Sequence, residues 1–221
     1  MTETLLHRIG ESYPLSERPT GAFAALKVEG MRFSIRAYHA EGLGHVSVMR
    51  AKGFFGRMTM DTLMVVPTTK DLPLYSYDRI RVMGNDTLIV ELYDTLIGSP
   101  DLSSLDAIKA SASHLPERDP GAHWYDAIKL PQSLSKKGKR LHTPALDALA
   151  DEYFRAYLKA PAANTSDENK KKALSARYVD GLLSHGGPST DVFKKALGED
   201  KTATLFRTVL FGVDLPSDQE S

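Results

Sequence analysis

Asp78 stands in LYSYDRIRV (74–82), a run whose aromatic and β-branched residues mark a strand with a buried face. Aspartate is depleted in strands and is rarely fully buried without a partner. Two readings follow: an ion pair with neighbouring Arg79 or Arg81, or an acid held in a half-buried cavity. Asp94 sits on the next predicted strand, and the two carboxylates could face each other. Two carboxyls in one cavity raise one pKa, which is how a fold makes a general acid near neutral pH. His185, in LLSHGGPST (182–190), lies at a Gly-Gly-Pro break after a helical run. It first suits a helix C-terminus, where a cation is favoured; the alternative is a titratable loop group at the sheet face.

Other chemistries lack their residues. The 221 residues include no cysteine, which removes disulfides, thiolate catalysis and cysteine-held iron–sulfur clusters. No GxGxxG follows a strand, and neither GxxxxGK[ST] nor GxSxG occurs. The seven histidines never fall in HxH, HxxxH or HExxH spacing, so no metal site stands out. Lys plus Arg and Asp plus Glu each total 28, a balance that argues against a dedicated nucleic-acid binder. Charge is concentrated locally in SKKGKR (135–140), where Lys136, Lys137, Lys139 and Arg140 would either steer an acidic partner or form a solvated loop.

The first half of the chain must position Asp78. Strand-like runs at 22–28, 32–39, 45–52, 57–66, 74–82 and 87–93 are separated by connections too short for helical crossovers, so they predict an antiparallel meander. Met49, Met60 and Met64 fall on these strands, as a deformable cleft lining or as plain core. From Asp101 onward the period becomes helical, with helices predicted over 144–160, 166–183 (N-cap Ser166), 189–198 and 199–212, and another near 3–11. The polar stretch 112–143 reads as a long surface connection with a short helix near 122–129. The N-terminus has no secretory pattern and no apolar run approaches the ~20 residues of a membrane span, so a cytoplasmic protein without membrane contact is expected. The economical fold is a single α+β domain over 1–214, with a disordered tail at 215–221.

Two segments resemble the ferredoxin-dependent bilin reductase family, which includes phycocyanobilin:ferredoxin oxidoreductase and, more distantly, red chlorophyll catabolite reductase. One is TLMVVPTTKDLPLYSYDRI (62–80), with Pro67, the Leu72-Pro73-Leu74 turn and Asp78. The other is the C-terminal order of FRAYLKAPAANTSDE, a helix with Tyr178, VFKKALGED and TLFRTVLFGVD. The resemblance implies a central antiparallel sheet flanked by helices in an α/β/α sandwich. It implies reduction of a linear tetrapyrrole such as biliverdin by proton-coupled, radical electron transfer from external reduced ferredoxin, with no bound metal or flavin. Asp78 falls on the family's central aspartate, which bonds the pyrrole nitrogens or lactam oxygen and supplies a proton. A family histidine falls on Thr62, a glutamate falls near Met49 or Arg50, and a late acidic or amide position falls near Gly186, which makes His185 the candidate second proton donor. Met49, Thr62, Met64, Asp94 and Tyr178 are then the expected substrate contacts, and Lys136, Lys137, Lys139 and Arg140 the expected ferredoxin dock. The alternatives are a tetrapyrrole holder of the same fold that does not reduce its ligand, and an unrelated α+β interaction protein.

Overall fold

The computed structural model describes residues 1–165 and 167–215. Eight strands form one antiparallel sheet: β1 (Leu15–Arg18), β2 (Ala25–Val28), β3 (Met31–Ala40), β4 (Gly44–Gly53), β5 (Met58–Pro67), β6 (Leu74–Val82), β7 (Asn85–Tyr93) and β8 (Leu134–Lys139). From β3 to β8 spatial order follows chain order, while β1 and β2 pair with opposite ends of β3. Helices α1 (Thr2–Gly10), α2 (Ser103–Ser111) and α3 (Thr143–Lys159) cover one face. Helices α4 (Glu168–His185), α5 (Pro188–Leu197) and α6 (Glu199–Thr204), with a π-helical turn over Leu205–Leu210, cover the other. The expected α+β sandwich is therefore the observed fold.

Both faces of the central strands are covered, which explains why TLMVV (62–66) reads as a nearly continuous apolar run rather than a clean alternation. Tyr75, Tyr77, Leu88 and Val90 point to the α1–α3 face. There α3 contributes Leu146, Leu149, Tyr153, Phe154 and Tyr157 at helical spacing, each large apolar side chain adding roughly 1.5–3 kcal/mol by burial. Helix α3 stops at Ala160 because Pro161 disfavours helical backbone in the residue before it.

Two expectations are corrected, and two elements stand where none was assigned: residues 15–18 form β1, and residues 103–111 form α2 in the region from Asp101 where the helical period begins. The basic run 135–140 is not a loop tip: most of it is β8, paired with β7 from Asn85↔Lys139 to Val90↔Leu134. The last predicted helix splits, with α6 ending at Thr204 before the π turn. The Ser166 cap lies outside the described residues, as does the tail from 216; the N-cap of α4 is Asp167, whose carboxylate accepts the Lys170 amide at 2.8 Å.

Candidate active site

Antiparallel pairing sets Met49 opposite Thr62, Thr62 opposite Asp78, and Asp78 opposite Ile89. These residues share the face covered by α4–α6, and between sheet and helices lies a cleft of about 310 Å³. Its floor carries Met49, Met60, Thr62, Met64 and Asp78, and its walls include Glu91, Tyr93, Tyr125, Tyr178 and Phe206. Asp78 is partly exposed, and Thr62 donates its hydroxyl hydrogen to Asp78 Oδ1 at 2.5 Å. Burial pushes the Asp78 carboxyl up to about 6; the Thr62 hydrogen bond opposes the rise and the negative charge of Glu91 adds to it.

The ion-pair reading of Asp78 does not hold. Strand alternation turns Arg79 and Arg81 to the α3 face, where Arg79 Nε lies 2.6 Å from Asp86 and Arg81 Nη2 lies 3.1 Å from Asp147. The carboxyl on the cleft face is thus free to exchange a proton.

Tyrosines build the opposite wall. Tyr93 stacks on Tyr178 at 4.0 Å between ring centres, and Tyr125 meets Tyr93 edge-on at 5.6 Å. Tyr93 donates its hydroxyl to Glu91 Oε2 at 2.6 Å. Burial holds the Tyr93 and Tyr178 phenols well above their ordinary range, so at neutral pH they remain protonated hydrogen-bond donors. A 3₁₀ turn at Trp124–Ala127 brings Tyr125 into place. It can lie against α4 because position 181 is glycine, where a Cβ would meet the Trp124 ring at 2.2 Å. His123, at the start of this turn, stacks on Tyr125 at 4.8 Å and lines the cleft.

The π turn closes the site. A π turn leaves carbonyls out of register, and β4 supplies donors for them: Ser47 Oγ to Leu210 O at 2.7 Å and His45 Nε2 to Val209 O at 2.9 Å. Burial lowers His45 to about 4, so it is neutral with Nε2 carrying the proton. Gly212 gives this ring room, since a Cβ there would stand 2.5 Å from it. The turn directs Phe206, Leu210 and Phe211 at the cleft.

Of the residues expected from sequence, the cleft gathers Asp78, Thr62, Met49, Met64 and Tyr178. Asp94 is corrected: it lies past the end of β7, exposed, accepting the Leu96 amide in a turn. Its place as the second carboxylate is taken by Glu91. His185 is corrected as well: it is exposed at the last turn of α4 with its ring 5.3 Å from Trp124, and it does not line the cleft. Lys136 is buried, its ammonium donating to Ala112 O at 2.9 Å and pairing with Glu117, so it cannot meet a partner; Lys137, Lys139 and Arg140 are exposed.

Glu91, His123 and Arg118 are cleft residues that sequence reasoning missed. For Glu91 the deciding observation is the geometry of the β6–β7 turn, which only the structure gives. Met83 and Gly84 both have positive φ, as a two-residue hairpin turn requires, and such a turn makes the partner of residue 78 residue 89, so odd positions of β7 share its face.

Replacing Glu91 with Gln tests the coupling. The amide still accepts from Tyr93, but its charge is gone, so the Asp78 titration should move towards lower pH. Carboxyl NMR of the two proteins reads the shift, and an unmoved titration would show that burial alone sets the value.

No family model and no curated protein sequence matches the chain. Among solved structures, phytochromobilin synthase from tomato in complex with biliverdin superposes with a TM-score of 0.77 at 13% identity, covering 98% of this chain and 84% of that one. The fold is that of phytochromobilin synthase. At 13% identity the likeness concerns backbone architecture alone.

Proposed function

We propose that the chain reduces a linear tetrapyrrole, with electrons delivered singly by reduced ferredoxin and a proton by Asp78. The observation that carries this reading is a carboxyl with a pKa of about 6 on the floor of an apolar, Met- and Tyr-lined cleft. The shared fold with a protein solved in complex with biliverdin supports it. A bilin is flat and conjugated, with inward N–H groups and two propionates. It suits an apolar cleft with few polar groups, and 310 Å³ is at the small end of ligand sites, so the propionates would reach the rim. Arg118 is a half-buried cation at that rim, donating to Ser135 Oγ at 3.3 Å.

The chemistry divides between donor and protein. Reduction of one double bond takes two electrons, from two reduced ferredoxins, and two protons. Each added electron makes the tetrapyrrole more basic, and an acid poised near neutral pH then sets which atom is protonated. Thr62 occupies Asp78 Oδ1, which leaves Oδ2 to carry the transferable proton. After transfer, the carboxylate is reprotonated from solvent.

A second reading, tetrapyrrole binding without reduction, draws on Thr62 and Met49, which line the cleft without an acid of their own. One experiment separates the two. The purified protein is mixed anaerobically with biliverdin, and then with reduced ferredoxin. Spectral change on mixing reports binding, and loss of the biliverdin bands after reduction reports turnover. Binding with an unchanged spectrum under reduction selects the holder, and a panel of bilins giving neither effect overturns both readings.

A further inference from the structure

The end of the sheet formed by the β2–β3, β4–β5 and β6–β7 turns has a surface composition unlike the rest of the molecule. Gly53 pairs with Met58, Met58 with Val82, Val82 with Asn85 and Asn85 with Lys139, which sets these turns and the end of β8 in one row. Of the five large apolar side chains exposed among the described residues, four lie in this row: Phe54, Phe55, Met83 and Leu141. Phe55 is 108% exposed and Phe54 67%. Both have positive φ, 54° and 48°, a conformation costly for an aromatic residue. The strain is retained where it turns two phenyl rings into solvent.

Cations surround the rings. Lys27 faces Arg32 and Arg32 faces Lys52 on adjacent strands, and all three are exposed. Like charges directly opposite each other across strands are destabilising, so this row costs stability unless an anion lies over it. Arg57, Lys139 and Arg140 are exposed at the same end, while Glu29 is paired with Lys195 at 2.7 Å. In a chain of zero net charge this is a segregated patch.

We infer that this end of the sheet docks on an anionic phospholipid surface, with Phe54 and Phe55 inserting at the headgroup level and the Lys27–Arg32–Lys52 row facing lipid phosphates. Charge complementarity selects the occupant: the cations of the row match lipid phosphates, and the exposed aromatic rings beside them suit the headgroup level. Such docking departs from the expectation of no membrane contact, which rested on the lack of a spanning run; the contact is peripheral, and no helix among the described residues is long and apolar enough to cross a membrane. Aromatic rings at the interface and juxtaposed Lys and Arg both contribute to such binding.

Co-sedimentation of the full chain with phosphatidylcholine vesicles, with and without phosphatidylserine, tests this. Binding is expected only to the anionic vesicles, and it should weaken as salt rises. Lys52→Gln should reduce the partition constant about five-fold, the equivalent of about 1 kcal/mol per cation. The double variant Phe54→Ser with Phe55→Ser should abolish insertion while leaving the circular dichroism spectrum unchanged, since both rings are outside the core. As a second readout, Phe55→Trp should be quenched by brominated lipid. Absence of binding by the folded wild type, or binding indifferent to the phenylalanine pair, overturns the inference. So does self-association through the same residues without vesicle binding.

Discussion

Asp78→Asn should lower bilin turnover by roughly 10²–10⁴-fold, the loss expected when a general acid is removed, while leaving bilin affinity nearly unchanged. Asparagine keeps the size and can still accept the Thr62 hydrogen bond seen at 2.5 Å. In the wild type, turnover should fall as pH rises through about 6, because the donating form of Asp78 is the protonated one. The stability effect has the opposite sign to the catalytic one. The carboxyl is raised from 3.8 to about 6, so the folded state binds its proton more tightly than the unfolded chain does. Its contribution to stability is fully present below 3.8 and is lost as pH rises through about 6. The neutral amide avoids that loss, and Asp78→Asn should therefore be more stable than the wild type at pH 7, by about 1–3 kcal/mol. Thermal melts at pH 4 and pH 7, set beside turnover at both, read both effects. A variant that melts lower at pH 7 and keeps full activity per folded molecule would remove Asp78 from the mechanism.

Lys171→Ala should be the most damaging single change to the fold. The ammonium is fully buried, 2.9 Å from Asp71 Oδ1, and donates to Leu72 O and Thr95 O at 2.7 Å each. It ties α4, which carries Tyr178, to the β5–β6 connection, whose Asp71 also accepts the Ile97 and Gly98 amides. Burial lowers the Lys171 pKa, and the hydrogen bond and charge of Asp71 oppose that shift. Truncation leaves a buried carboxylate and two carbonyls without their donor. Breaking a buried pair in this way costs about 3–5 kcal/mol, which for a chain of this length is a drop of roughly 10 °C in Tm. Calorimetry of the variant checks it. An unchanged melting temperature would show that water replaces the ammonium and that α4 is held by its apolar face alone. Bilin affinity should fall with the folded fraction, since Tyr178 loses its anchored helix.

What the sequence determined by itself was local. Apolar runs between turn residues, of period two except at the continuously apolar end of β5, specified β3 to β7, and period-3.6 patterning specified α3, because side-chain direction follows backbone geometry within a few residues. The placement of a carboxylate on a strand face, at Asp78, was legible for the same reason. The tertiary structure decided everything that depends on a partner distant in the chain. Residues 135–140 read as a solvated basic loop, yet β7 offers them an edge and the carbonyls of Ala112 and Leu115 accept the Lys136 ammonium. Whether Glu91 or Asp94 joins Asp78 is a question of register: Ser76 faces Glu91 across the hairpin, and β7 ends at Tyr93, one residue before Asp94. His123 reaches the cleft, and His185 does not, because Trp124 packs on Gly181 and turns the 3₁₀ segment inward. The pKa of Asp78 is a property of that assembly, since burial under α4 and the π turn raises it and no residue adjacent in sequence does so.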